Sequence, residues 1–196
     1  MAALIARGLT EKLSTLTDYP RPMLIFTGHS AGGAIASLLY AHILNAPEPL
    51  TPLSSLRDRF ATIHCLTFGA PPVTTPALRQ LGPRSQFLAF VNEGDPVPRC
   101  DQKYIDSLLR LYITPEPVPE GVQRWPCPEP VLHNAGDVVL VGKRVREDGL
   151  TALLKPGGAS DGSLREFVMG NPRAHSTDVY LEKLRFGRTV GAVAPP

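Results

Sequence analysis

Thr27-Gly28-His29-Ser30-Ala31-Gly32-Gly33 decides how this chain is read. An apolar run, Met23-Leu24-Ile25-Phe26, precedes it, and a segment rich in small residues, Ala34 to Leu44, follows. The expected structure is strand, sharp turn, helix. The core, Gly28-His29-Ser30-Ala31-Gly32, has the form G-x-S-x-G, in which a tight, strained turn lifts a serine hydroxyl clear of a sheet. Gly28 and Gly32 are expected to let strand and helix approach closely. The helix N-terminus then sets the positive end of its dipole beside the serine, where it favours a developing anion. The competing reading is a glycine-rich turn with a helix-capping serine. The flanks, apolar before and helical after, favour the first.

The chain has 196 residues, the length of one domain with a sizeable core. Hydrophobic residues make up 43% and charged residues 19%, an ordinary globular balance. The net charge is +2, and no run of Lys or Arg marks a nucleic-acid surface, so no nucleic-acid partner is expected. Cys65, Cys100 and Cys127 lack the spacing of a metal site, and no metal is expected. An odd count rules out a full disulfide framework and leaves room for one bridge. Cys65 lies in an apolar run and reads as a core residue. No segment is long enough to span a membrane, and the N-terminus lacks the pattern of a signal peptide. The chain reads as cytoplasmic.

Outward from the elbow, Leu4, Ile5, Leu9, Leu13 and Leu16 recur at near-helical spacing, which predicts a helix over 2–17. Met23–Phe26 is a buried strand, and the elbow helix runs to Asn45 with Leu38, Leu39, Ile43 and Leu44 on its core side. Phe60–Phe68 is a second strand that exits through Gly69-Ala70-Pro71-Pro72. A short helix is expected at Pro76–Leu81 and a third strand at Ser85–Val91. That strand ends in Asn92-Glu93-Gly94-Asp95-Pro96-Val97-Pro98-Arg99, a loop kept non-helical by proline and glycine. Ile105–Tyr112 is an amphipathic helix. Residues 114–130 form a Pro-rich surface loop, which Trp125 pins down. Asp137–Val141 is a late strand, Glu147–Gly162 a polar, glycine-rich loop, Leu164–Met169 a short helix, and Asp178–Phe186 a closing helix. Residues 190–196 are a flexible tail. Strands joined by helical crossovers predict βαβ units and a mostly parallel sheet flanked by helices, in a single domain over 1–196.

A serine hydroxyl is a poor nucleophile at neutral pH and needs a base, itself oriented by a carboxylate. G-x-S-x-G is the elbow signature of α/β-hydrolases, in which the chain order is Ser, Asp or Glu, then His. The acid belongs on a loop at the C-terminal end of a later strand. Asp95 fits, on a Gly-Asp-Pro turn directly after the third strand; an Asx-turn aspartate is its plainer reading. Asp101 and Glu93 are weaker rivals, and Asp58 stands at the wrong end of its strand. The base must follow Asp95, which leaves His133 and His175. His133 precedes a strand and is expected at the sheet edge, opposite the site. His175, in a loop that opens a helix, is favoured. His29 has the wrong chain order and is read as packing within the elbow. His42, on the elbow helix, and His64, mid-strand, are read as core or surface histidines.

Four separated motifs make this chain resemble the class 3 (fungal-type) lipases. Thr27–Leu38 is similar to that family's elbow and following helix, and Thr67-Phe68-Gly69-Ala70-Pro71 to its F-G-x-P turn. Val91–Arg99 resembles its acid loop, N-x-x-D-P-V-P-R, and His175 with Tyr180-Leu181 its closing histidine and helix. The resemblance covers roughly residues 5–185. It implies an α/β-hydrolase fold and a carboxylester hydrolase acting on acylglycerols or related lipid esters, met at a membrane or droplet surface. It implies Ser30 as nucleophile, Asp95 as orienting acid and His175 as base, with no cofactor. Ala31 N–H would donate to the oxyanion, since it follows the nucleophile.

The departures are specific. Ala70-Pro71-Pro72 stands where the family often has Pro-Arg, a change expected to affect packing. The interval from Asp95 to His175 is long, and its insertions are expected to reshape the acyl groove or form a partial lid. The chain begins at the helix before the elbow, whereas family members carry upstream strands and a loop with a second oxyanion donor. The expectation is therefore a partial fold lacking the N-terminal strands. That motivates an alternative from another class, a weakly active or inactive lipid- or protein-binding module on a hydrolase scaffold. A third reading keeps the chemistry but takes a peptide, thioester or small acyl substrate.

Overall fold

The structure is a computed structural model that describes residues 1–16, 21–45, 51–75, 78, 85–113, 128–146, 149–155 and 169–190. Helix α1 (Ala2–Thr15) leads to strand β1 (Met23–His29), the elbow and helix α2 (Ala31–Asn45). A 3-10 turn at Ser54–Arg59 precedes β2 (Thr62–Phe68), and β3 (Phe87–Asn92) follows. A 3-10 turn at Val97–Arg99 and helix α3 (Gln102–Ile113) lead on to β4 (Asp137–Arg146) and β5 (Gly149–Lys155). A last 3-10 turn, Pro172–His175, opens helix α4 (Thr177–Val190).

The sheet runs β1-β2-β3-β4-β5. The first four strands are mutually parallel and β5 returns antiparallel to β4. The register pairs Phe26 with Cys65, Cys65 with Phe87 and Val91 with Leu140. These residues therefore share one face, since paired residues of a ladder point the same way. That face carries the main core, where Phe26, Ile63, Cys65 and Phe87 meet Ala36, Tyr40 and Ile43 of α2 and Ala6 and Leu13 of α1. The Tyr40 and Phe87 rings lie 4.5 Å apart. Further along the same face Tyr104 of α3 packs with Val91, Val138, Leu140 and Met169.

On the opposite face α4 lies against β4 and β5. Its Tyr180 meets Phe68 edge-on, and Phe68 stacks on Phe90 at 5.0 Å. At the β1 end of that face Met23 and Ile25 are 58% and 45% exposed. All four parallel strands run toward the same end, so the loops after β1, β2 and β3 gather there. In open α/β sheets that end is where ligands bind.

Several expectations are revised. The core side of α2 is Ala36, Tyr40 and Ile43, while Leu38 is 49% exposed; Leu39 and Leu44 pack beside that core. Residues 149–155, expected as part of a loop, form β5, because the run Leu150–Leu154 can satisfy its backbone by pairing with β4. The loop after β3 contains a 3-10 turn over Val97–Arg99, whose tight φ suits Pro98. The short helices expected at 76–81 and 164–169, Trp125 with most of the Pro-rich loop, and the tail beyond Val190 lie outside the described residues. Among the described residues no helix is long and apolar enough to cross a membrane.

Candidate active site

The site is built at the turn between β1 and α2. Ser30 has φ +57°, and among the described residues no other non-glycine is in the left-handed region. An L-residue is strained there, and the surroundings hold it. Ser30 N–H donates to the Phe68 carbonyl at 3.0 Å, while the Ser30 carbonyl accepts from Gly33 and Ala34 N–H. A Cβ at Gly28 would fall onto the backbone carbonyl of Gly32, so strand and helix touch only because Gly28 has no side chain. The second tight position is Gly33, not Gly32. A Cβ at Gly33 would lie 2.9 Å from Ala70 Cβ, whereas one at Gly32 would meet nothing within 4 Å. Ala31 opens α2, where the first N–H groups have no intrahelical acceptor.

The loop after β3 brings up Asp95, which is fully buried. Its carboxylate collects three donors: Val97 N–H to Oδ1 at 2.9 Å, Tyr180 O–H to Oδ2 at 2.7 Å, and His175 Nδ1 at 3.0–3.1 Å from both oxygens. A buried carboxylate needs such partners, since leaving it unpaired costs several kcal/mol or more. The Tyr180 hydroxyl also accepts Asn92 N–H at 2.9 Å. Burial first, and then the neighbouring Asp95 charge, raise the Tyr180 phenol well above its ordinary range, so it stays a neutral donor.

The turn that bears His175 is fastened to this loop. Asn171 N–H donates to the Gly94 carbonyl at 2.8 Å, and Asn92 Nδ2 donates to the Ala174 carbonyl at 3.0 Å. The Asn171 side chain caps the 3-10 turn by accepting Arg173 N–H. His175 Nε2 then lies 2.9 Å from Ser30 Oγ. A single line of contacts runs Ser30 Oγ, His175 Nε2, His175 Nδ1, Asp95. With Nδ1–H donating to the carboxylate, Nε2 is free to accept the serine proton.

Gly69, in the turn after β2, completes the enclosure. It has φ +57°, and a Cβ there would lie 2.8 Å from Asp95 Oδ2, 3.0 Å from the Tyr180 hydroxyl and 3.1 Å from His175 Nδ1. The F-G-x-P turn of the sequence is therefore a wall of the site.

The rival candidates are elsewhere. Asp101 caps α3, accepting N–H from Tyr104 and Val131. Glu93 is exposed, and Asp58 pairs with Arg57 on the surface. His133 forms a short antiparallel bridge with Thr74. His42 contacts Thr51, and His64 accepts Gln86 N–H. His29 does more than pack within the elbow, since its Nε2 meets the His175 carbonyl at 2.7 Å. Tyr180 was visible in the sequence only as part of the closing helix. Its five-residue offset from His175 brings it under the carboxylate because the chain turns between the 3-10 turn and α4.

Four parallel strands flanked by helices, with a left-handed serine between the first strand and its helix, form part of an α/β-hydrolase fold. The Lipase (class 3) family pattern matches residues 1–104, slightly more than half of the chain. This protein belongs to that family and is a lipase-like hydrolase. A search among curated proteins finds no match.

Proposed function

We propose that this protein hydrolyses carboxylic esters of acylglycerols or related lipids through an acyl-enzyme on Ser30. The observation that carries the reading is the hydrogen-bonded line from Ser30 Oγ through His175 to the buried Asp95. His175 Nε2 takes the Ser30 proton as Oγ bonds to the ester carbonyl carbon. The carbonyl electron pair moves onto oxygen, where Ala31 N–H and the N-terminus of α2 favour the negative charge. His175 then protonates the departing alkoxide, and the C–O bond breaks to leave the acyl group on Ser30. In the second half His175 takes a proton from water, hydroxide adds to the acyl carbon, and the fatty acid leaves as Ser30 recovers its proton. Asp95 holds Nδ1–H throughout, which keeps Nε2 as the basic nitrogen and steadies the imidazolium.

Family membership supports a lipid ester as substrate, while the triad geometry supports acyl transfer through a serine and is compatible with ester, thioester or amide. A fluorophosphonate probe is expected to label the wild-type chain at Ser30, and Ser30→Ala to abolish both labelling and release of fatty acid from a short-chain acylglycerol. Labelling that persists in Ser30→Ala removes Ser30 from the mechanism. A wild-type chain that neither labels nor hydrolyses any ester overturns the reading in favour of a binding module.

A further inference from the structure

His29 stands beside the nucleophile in sequence and touches the base in space. Its Nε2 lies 2.7 Å from the main-chain carbonyl of His175. Its ring lies over the His175 ring, with centroids 4.6 Å apart at 32°, and meets Tyr180 edge-on at 5.8 Å. A carbonyl only accepts, so Nε2 carries the hydrogen and His29, when neutral, is held in the Nε2–H tautomer. The bond joins residues 146 apart in the chain. It links the end of β1 to the 3-10 turn that carries the base, across the gap that the reaction must bridge.

Among the described residues, further restraints on that turn come from the acid side. Asn92 holds the Ala174 carbonyl, Gly94 holds Asn171 N–H, and Asp95 holds the His175 ring. They fix His175 relative to Asp95, while the contact between Nε2 and Oγ bears on its distance from Ser30. His29 supplies a second tie on the nucleophile side. Because it is bonded in sequence to Ser30, any shift of the elbow carries the His175 backbone with it.

We propose that His29 is a positioning residue, which sets the distance between Ser30 and His175 by donating Nε2–H to the His175 carbonyl. This rests on the reading of Ser30 and His175 as nucleophile and base. His29→Leu keeps similar bulk and deletes the donor, whereas His29→Gln offers an amide N–H at about the same reach. The expected result for His29→Leu is a kcat and a fluorophosphonate labelling rate roughly 10–100-fold lower, with KM changed less than about 2-fold, since misplacement near an ångström carries that scale of loss. His29→Gln should recover most of the rate. If His29→Leu does not fold, His29→Asn, too short to reach the carbonyl, is read instead.

Nitrogen-15 NMR of the wild-type chain gives a readout that does not depend on activity. His29 should be the Nε2–H tautomer, and the His175 Nδ1 proton should exchange faster with water, and so broaden, in His29→Leu but not in His29→Gln. A wild-type His29 in the Nδ1–H tautomer, or a His29→Leu variant with unchanged kcat and an unchanged His175 proton, overturns the proposal. An inactive wild type with these NMR results would instead remove the hydrolase reading and leave the His29 tie standing.

Discussion

The elbow at Thr27–Gly33 and the junction of the 92–99 loop with the 169–175 segment are joined by hydrogen bonds from Ser30 and His29 to His175 yet are built differently. The fold of the elbow itself is held mainly by backbone, with a left-handed serine, a strand and helix in contact over Gly28, and backbone hydrogen bonds between Ser30 and Phe68, Gly33 and Ala34. The junction is held mainly by side chains, with Asp95, Tyr180 and Asn92 each satisfying a partner far away in sequence and Asn171 capping its own turn. A backbone device tolerates little change in residue size, while a side-chain device tolerates little change in polarity. The two should therefore fail differently when altered.

The largest expected effect breaks the junction without touching the elbow. Asp95→Asn should keep the fold and lower kcat by about 10⁴-fold, because an amide no longer fixes the His175 tautomer. Steady-state kinetics beside an unchanged circular dichroism spectrum would check this. An elbow change should act on stability first. Gly28→Ala puts a methyl onto the Gly32 backbone, which has no flexible side chain to yield, and should cost about 3 kcal/mol or more in urea unfolding.

Tyr180→Phe sharpens the contrast from the polar side. It removes one donor from Asp95 and one acceptor from Asn92 N–H, both buried. The expected cost is about 1–3 kcal/mol of stability, with a fall in kcat well short of that for Asp95→Asn. The smallest effect is a pH dependence. Burial pushes the Cys65 thiol up to about 12, a hydrogen bond with Ser37 opposing it, and the Tyr180 phenol is raised as well. The unfolded groups ionise near pH 9 and pH 10, so above those values the folded chain keeps protons that the unfolded chain has lost. Stability should be unaffected by these groups below about pH 9 and fall as pH rises toward 12. Tyr180→Phe should fall less steeply above pH 10, which thermal unfolding against pH would show.

The same contrast explains what was legible in the chain. The elbow and strands β1 to β3 are local patterns, so strand, turn and helix could be read from Met23 to Asn45, and the next two strands with the position of Asp95 after them. The meeting of Ser30, Asp95 and His175 was reached through chain order, which substitutes for distance in a known topology. Tyr180 and the reach of His29 were not legible, because an isolated Tyr or His carries no pattern that names its partner. The close approach was assigned to both elbow glycines, yet Gly33 rather than Gly32 shares it with Gly28. G-x-S-x-G spacing does not say which way each absent Cβ would have pointed. Leu150–Leu154 was hidden by the polar and glycine-rich residues around it, since an edge strand is specified by its neighbour's free backbone as much as by its own side chains.

The span between Ser30 and His175, 145 residues, also orders events in time. Synthesis proceeds from the N-terminus, so the serine leaves the ribosome on the order of ten seconds before the histidine. Strands β1 and β2 can pair and form the elbow in that interval, but its hydroxyl then has no base. Closing so long a loop is entropically costly and waits on docking of the last segment. On the roles proposed above, the nascent chain carries Ser30 in an inert form until the final turn and helix α4 settle onto β4 and β5.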